Sequence, residues 1–198
     1  MPDLSLETAC GHAPVCGVDE VGRGPWAGPV VAAAVILPPG LTIEGLNDSK
    51  ALSRTQRERL SLVILAHAQV GLGEASVAEI DQINILQASL LAMDRAVAAL
   101  PTRPAFALVD GRQVPAGLPC PGQGVIKGDA RSASIAAASI VAKVTRDAAM
   151  VALSQQFPGY GWETNAGYGV PAHIAALKRL GLTPHHRRSF APIHKMLI

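Results

Sequence analysis

The sequence predicts an α/β protein, a mixed β-sheet flanked by helices with a helical C-terminal portion. Two apolar runs rich in β-branched residues and alanine come early, at Val15–Val21 and at residues 29–37. Shorter strand-like runs then alternate with helical stretches, and the last part of the chain reads as helix and loop. Strands first, with helices interleaved and trailing, is the pattern of a sheet covered by helices. A hydrophobic fraction of 49% with 16% charged residues describes a compact chain, not a disordered one.

Taken in order, residues 1–14 read as a loose leader. Val15–Val21 and residues 29–37 read as strands, the second continuous enough to be buried on both faces. Between them, Gly22-Arg23-Gly24-Pro25-Trp26-Ala27-Gly28 is turn material. Ser53 is placed to N-cap a helix running to about His67. Residues 70–75 suit a third strand, and a helix is expected over 85–100, stopped by Pro101. Residues 105–110 form a short strand ending in the turn pair Asp110-Gly111, and 123–126 another. A long alanine-rich helix is expected over 132–156 and a last one over 172–180, ended by Gly181. At 198 residues the chain suits one core and is short for two, so a single domain over 1–198 is expected.

Several function classes drop out on composition. The longest uncharged apolar stretches, 30–37 and 133–142, are too short to span a bilayer, so no membrane association is expected. The start carries Asp3 and Glu7 and no basic region before an apolar run, which makes the cytoplasm the expected location. Three cysteines, Cys10, Cys16 and Cys120, with no C-x-x-C pair read as reduced thiols. A net charge of +2 permits nucleic-acid binding without demanding it.

Acidic residues stand where apolar runs stop: Asp19-Glu20, Asp110 and Asp129. Ligand sites of open α/β sheets form at the carboxyl ends of strands. Two carboxylates about 4 Å apart repel by roughly 4 kcal/mol at an effective dielectric near 20. A divalent cation relieves that repulsion, and oxygen ligands without paired His or Cys favour Mg²⁺ or Mn²⁺. Taken singly, however, an Asp after a strand is an ordinary turn-former. Neighbours on a strand also face opposite ways, so Asp19 and Glu20 share a site only if the strand ends or bulges there, which Gly22 and Gly24 would allow. The glycine segment reads G-x-G-x-x-x-G followed by a strand, which is not a dinucleotide fingerprint, and no P-loop motif occurs. A tight loop whose backbone approaches a ligand is the better reading.

The run Gly17-Val18-Asp19-Glu20-Val21-Gly22-Arg23-Gly24-Pro25, with Ala27-Gly28-Pro29-Val30-Val31-Ala32-Ala33, resembles the opening block of the ribonuclease HII family. Asn47-Asp48-Ser49-Lys50, Glu79-Ile80-Asp81, Asn84-Ile85-Leu86-Gln87-Ala88, Val109-Asp110-Gly111 and Lys127-Gly128-Asp129 continue the match in order. Ile135-Ala136-Ala137-Ala138-Ser139-Ile140-Val141-Ala142-Lys143-Val144-Thr145-Arg146-Asp147, Gly167-Tyr168-Gly169 and His186-Arg187-Arg188-Ser189-Phe190-Ala191-Pro192 complete it. The resemblance spans about residues 15–193 and departs at Val170, where threonine is common, and at Trp26, where leucine is frequent.

The resemblance implies a ribonuclease H-like fold and an enzyme acting on RNA–DNA hybrids and on DNA duplexes containing ribonucleotides. It implies that Asp19, Glu20, Asp110 and Asp129 bind Mg²⁺ or Mn²⁺, two ions in the substrate complex. It further implies that Gly22, Arg23, Gly24 and Tyr168 recognise the 2′-hydroxyl at the RNA-to-DNA junction, the group that separates RNA from DNA. A core aromatic is the plain alternative for Tyr168, but Gly167 and Gly169 favour a loop. Residues from about 155 to 198 would be substrate-binding helices and loops, and a monomer is expected. Lys50, Lys127, Lys143, Arg146, Arg187 and Arg188 are candidate phosphate contacts. Solvated charge is the alternative for them and the favoured reading for Lys178, Arg179 and the arginines at 54–59. His185-His186 lacks the i, i+4 spacing of a helical metal pair. Two rivals remain. Ribonuclease HIII would carry an extra N-terminal domain where only about fourteen residues precede the first strand, and a hybrid-binding protein would hold substrate without cutting it.

Overall fold

The computed structural model describes residues 2–196. Five strands form one sheet: β1 (Val15–Val21), β2 (Val30–Ile36), β3 (Gln69–Ala75), β4 (Phe106–Asp110) and β5 (Gly122–Val125), in the order β3-β2-β1-β4-β5. The first three strands pair antiparallel, while β4 and β5 run parallel to β1, so the sheet is mixed. The helices are α1 (Ser5–Ala9), α2 (Arg54–His67), α3 (Val77–Ala98), α4 (Ala133–Gln156), α5 (Trp162–Asn165), α6 (Pro171–Leu180) and α7 (Ala191–His194).

Helix α3 covers one face of the sheet, where Val18, Ala32, Ala34 and Val109 meet Ala88, Ala92 and Met93. Helices α4 and α2 cover the other, where Ala33 and Val35 meet Ala137, Ile140, Leu60 and Ile64. Every residue of β2 is buried, as a strand sandwiched between two helical layers must be. The alanines of α4 let it lie close to the sheet. A Cβ on Gly17 would fall 2.2 Å from the backbone of Ser134 and Ile135. That close approach seats α4 beside the strand that carries Asp19.

The expected caps are present. Ser53 accepts from the Gln56 amide and Gln56 returns the bond, a reciprocal cap that contributes about 1 kcal/mol. Two expectations need correction. Helix α3 begins at Val77 and not near 85, because Ser76 and Glu79 form a second reciprocal cap. The helix is interrupted at Asn84 (φ 69°), whose side chain caps the continuation by accepting from the amides of Leu86 and Gln87. The second correction concerns residues 1–14, which contain α1 instead of being a loose leader. Glu7 accepts from the Ser132 hydroxyl at 2.6 Å and from the Ser134 amide at 2.9 Å, stitching this segment to the first turn of α4. An acid at a helix N-terminus also meets the positive end of the helix dipole.

Candidate active site

Asp19 and Asp110 stand side by side because β1 and β4 are parallel neighbours in register. Val18 pairs with Val109, and the next residue on each strand is an aspartate. Both project toward α4: Asp19 is opposite Ala33, part of the core under that helix, and Asp110 is opposite Val125, which packs with Ile135. Glu20 faces the α3 side, opposite Ala32. The strand does not bulge. It runs regularly to Val21, and Glu20 joins the cleft because it lies near the strand end, where the layers part.

Asp129 arrives from another direction. After β5, Lys127 takes a left-handed conformation (φ 54°) and the chain makes a tight turn over Gly128–Ala130. The Gly128 amide donates to Asp110 Oδ1 at 2.7 Å, tying that turn to the end of β4. Asp129 Oδ2 lies 3.7 Å from the Lys50 ammonium.

Burial and like charge together disfavour the ionised acids at this cleft. Asp19 is 6% exposed, and burial, then the charges of Glu20 and Asp110, push its pKa well above the usual carboxylate value. Burial also raises Glu20, against the pull of Arg23 at 3.2 Å, and raises Asp129 together with the charges of Asp48 and Asp110. Partial burial works against the Lys50 ammonium, yet Asp48, Asp129, Asp19 and Asp110 together hold its pKa above the ordinary lysine value. Among the described residues no three His, Cys, Asp or Glu side chains already stand as a closed metal cage. In this arrangement Arg23 engages Glu20, Lys50 engages Asp129 and the Gly128 amide engages Asp110. The donor set is nonetheless all oxygen and crowded with like charge, which fits a hard divalent ion.

The cleft, about 390 Å³, is also lined by Gly22, Arg23, Gly24, Lys143 and Tyr168. Tyr168 is 46% exposed on the loop between α5 and α6, so it is not a core aromatic. Its carbonyl accepts from His173 Nδ1 at 2.9 Å. His173 Nε2 in turn accepts from Trp162 Nε1 and from His186 Nε2, each at 3.1 Å, and the Thr183 amide donates to His186 Nδ1. That pattern assigns both imidazoles as neutral. A larger, mostly apolar cavity of about 620 Å³ lies beneath α1, but Glu7, the carboxylate that lines it, is engaged by α4. The smaller cleft is the one that gathers Asp19, Glu20 and Asp110.

The family model described as Ribonuclease HII matches residues 16–193. A Ruegeria pomeroyi protein named Ribonuclease HII is 63% identical over 199 residues, covering 99% of this chain and 85% of the relative. The chain belongs to the ribonuclease HII family. Among solved structures, ribonuclease H2 from Pyrococcus horikoshii superposes with a TM-score of 0.77 at 30% identity, over 92% of this chain and 96% of that one. The Mn²⁺ complex of Bst-RNase HIII shares the fold at a TM-score of 0.72 and 20% identity, over 92% of this chain and 68% of that one. The chain is thus a ribonuclease H, of a family that cleaves the RNA of RNA–DNA hybrids. The rival readings, ribonuclease HIII and a binder without catalysis, are set aside by this membership.

The basic residues divide. Lys50 and Lys143 line the cleft, with Lys143 paired to Asp147 at 2.7 Å. Lys127 and Arg188 are exposed but lie outside the cleft lining. Arg146 and Arg187 were expected to contact phosphates, and the structure corrects this. Both are 0% exposed, with their guanidinium donors spent on main-chain carbonyls, so neither can reach solvent or a phosphate. Sequence reasoning missed Ser49, Ser139 and Arg57, all of which line the cleft. Ser139 bonds Ser49 at 2.7 Å and its hydroxyl favours the ionised form of Asp19. A lone hydroxyl in the run Ala136-Ala137-Ala138-Ser139 was the available signal. Arg57, read as solvated, instead donates to the Ser49 carbonyl at 2.9 Å.

Proposed function

We propose that this protein cuts on the 5′ side of ribonucleotides embedded in duplex DNA as well as within RNA–DNA hybrids, leaving a 5′-phosphate and a 3′-hydroxyl. The observation that carries the reading is the cleft itself. Asp19, Asp110 and Glu20 meet at the carboxyl ends of adjacent parallel strands, within one groove that also holds Gly22, Arg23, Gly24 and Tyr168.

Asp19 and Asp110 would hold the central metal, with Glu20 and Asp129 completing the oxygen shell. When held by these four carboxylates, Mg²⁺ or Mn²⁺, two ions in the substrate complex, would supply Lewis acidity toward the attacking water and the leaving 3′-oxygen. The chain's own residues do the rest. Lys50 and Lys143 offer cations to the phosphates beside the carboxylates. The Tyr168 phenol and the main chain of Gly22–Gly24 offer donors to the ribose 2′-hydroxyl. A role in ribonucleotide removal during replication and repair follows from that substrate. The free thiols among the described residues suit a reducing compartment, and we place the enzyme in the cytoplasm as a monomer.

The test uses a labelled DNA duplex carrying one ribonucleotide, incubated with Mg²⁺, Mn²⁺ or a chelator. A metal-dependent cut 5′ of the ribonucleotide is expected. Cleavage of a continuous hybrid without any cut at the single ribonucleotide would remove the junction assignment and leave the metal site.

A further inference from the structure

Arg146 and Arg187 are the two largest charged side chains with no exposure at all, and among the described residues neither forms an ion pair. Two cations side by side in a protein interior are costly unless something specific compensates them. Here the hydrogen-bond compensation comes from peptide carbonyls, and the Phe190 ring lies 5.0 Å beneath the Arg187 guanidinium. Arg187 donates to the carbonyls of Gly28 (2.9 Å), Arg23 (3.0 Å), Gly22 (2.6 Å) and Pro29 (3.1 Å). Arg146 donates to Pro29 (2.9 Å), Ala27 (3.1 Å) and Ala166 (3.0 Å). Every acceptor lies in the glycine loop, at Pro29 directly after it, or immediately before Gly167-Tyr168-Gly169. The two loops are also bonded to each other, since the Trp26 amide donates to the Gly167 carbonyl at 2.8 Å.

The direction of these bonds matters. In a planar trans peptide the C=O and N–H point opposite ways. With the Gly22 and Arg23 carbonyls drawn onto Arg187, the amides that follow them, those of Arg23 and Gly24, point away from the guanidinium, and the residues that bear them line the cleft. Among the described residues neither amide donates to a main-chain carbonyl. A cation on the carbonyl side polarises the peptide and strengthens its N–H as a donor. Gly22 serves this arrangement directly: a Cβ there would fall 2.1 Å from Arg146 Nε.

We propose that Arg146 and Arg187 are positioning residues for junction recognition: they fix and polarise the Gly22–Gly24 main chain so that the Arg23 and Gly24 amides present to the ribose, and they lock that loop to Tyr168. The proposal rests on the junction reading given above. Lysine keeps the charge but cannot spread donors over several carbonyls. In Arg146→Lys and Arg187→Lys the preference for a single embedded ribonucleotide over a continuous hybrid, as a ratio of kcat/KM values, should fall roughly tenfold or more, because misplacement of a positioning group is felt at the reacting centre. Ile64→Val, in the core of α2 and away from the cleft, controls for lost stability and should leave the ratio unchanged. Should the lysine variants fail to melt cooperatively, Gly22→Ala displaces Arg146 from the other side and should give the same loss. Wild-type preference retained in the folded variants overturns the proposal alone. A wild type that ignores the single ribonucleotide overturns the junction reading and this proposal with it.

Discussion

Asp19 sits where a carboxylate is expensive: buried, beside Glu20 and Asp110, with Ser139 as its neutral neighbour. Burial and like charge both disfavour its ionised form, so the metal-free protein carries local strain that a bound cation would relieve. Asp19→Asn should therefore abolish cleavage while making the metal-free protein more stable, because burial and like charge no longer oppose an ionised group there. Urea denaturation in chelator and a cleavage assay read the two effects separately. Full activity in the variant would remove Asp19 from the metal core. At this scale the sequence was partly legible. Four acids at strand ends were visible, but that Glu20 faces the α3 layer while Asp19 faces α4 follows from the pleat and the strand end, and no bulge is needed. The two arginines show the opposite case. Their charge suggested phosphate, and only their burial reveals that they serve the backbone.

Elements divide by the range of the forces that define them. The strands β1 and β2 and the helices α2, α4 and α6 matched their expected spans closely, because hydrophobic period and capping residues act within a few positions of each other. The first half of α3 was missed although Ser76 and Glu79 spell a reciprocal cap. Asn84 breaks the helical period there and hides the join. Helix α1 was illegible for a different reason. It is five residues long and would not persist alone, and its partners Ser132 and Ser134 lie over a hundred positions away. Glu7→Ala should cost about 1–3 kcal/mol, the penalty for leaving the Ser132 and Ser134 donors unpaired. A urea midpoint equal to that of wild type would show that α1 does not brace α4.

Folding stability of the whole molecule carries a pH-dependent contribution from His186 that falls in mild acid. His186 is 1% exposed, and burial, then the nearby His173 and His185, which disfavour a further positive charge, lower its pKa to about 4. The unfolded chain binds the proton near pH 6.5 and the folded one does not, so this contribution is complete above that value and is lost as pH falls toward 4. The shift corresponds to at most about 3 kcal/mol. The raised pKa values of Asp19, Glu20 and Asp129 act in the opposite direction, so the diagnostic is a difference. Between pH 7 and 4, wild type should lose more stability than His186→Gln, and parallel melting curves would reject the assignment. By itself the sequence determined the fold class, the strands that bear the acids, the glycine and tyrosine loops and the family resemblance, because period, turn chemistry and motif order are local or collinear properties. Which acids share a face, which arginines are buried and what the N-terminal segment braces were decided only by tertiary structure. Those depend on strand register and on how deeply each group is withdrawn from water, quantities set by residues far apart in the chain.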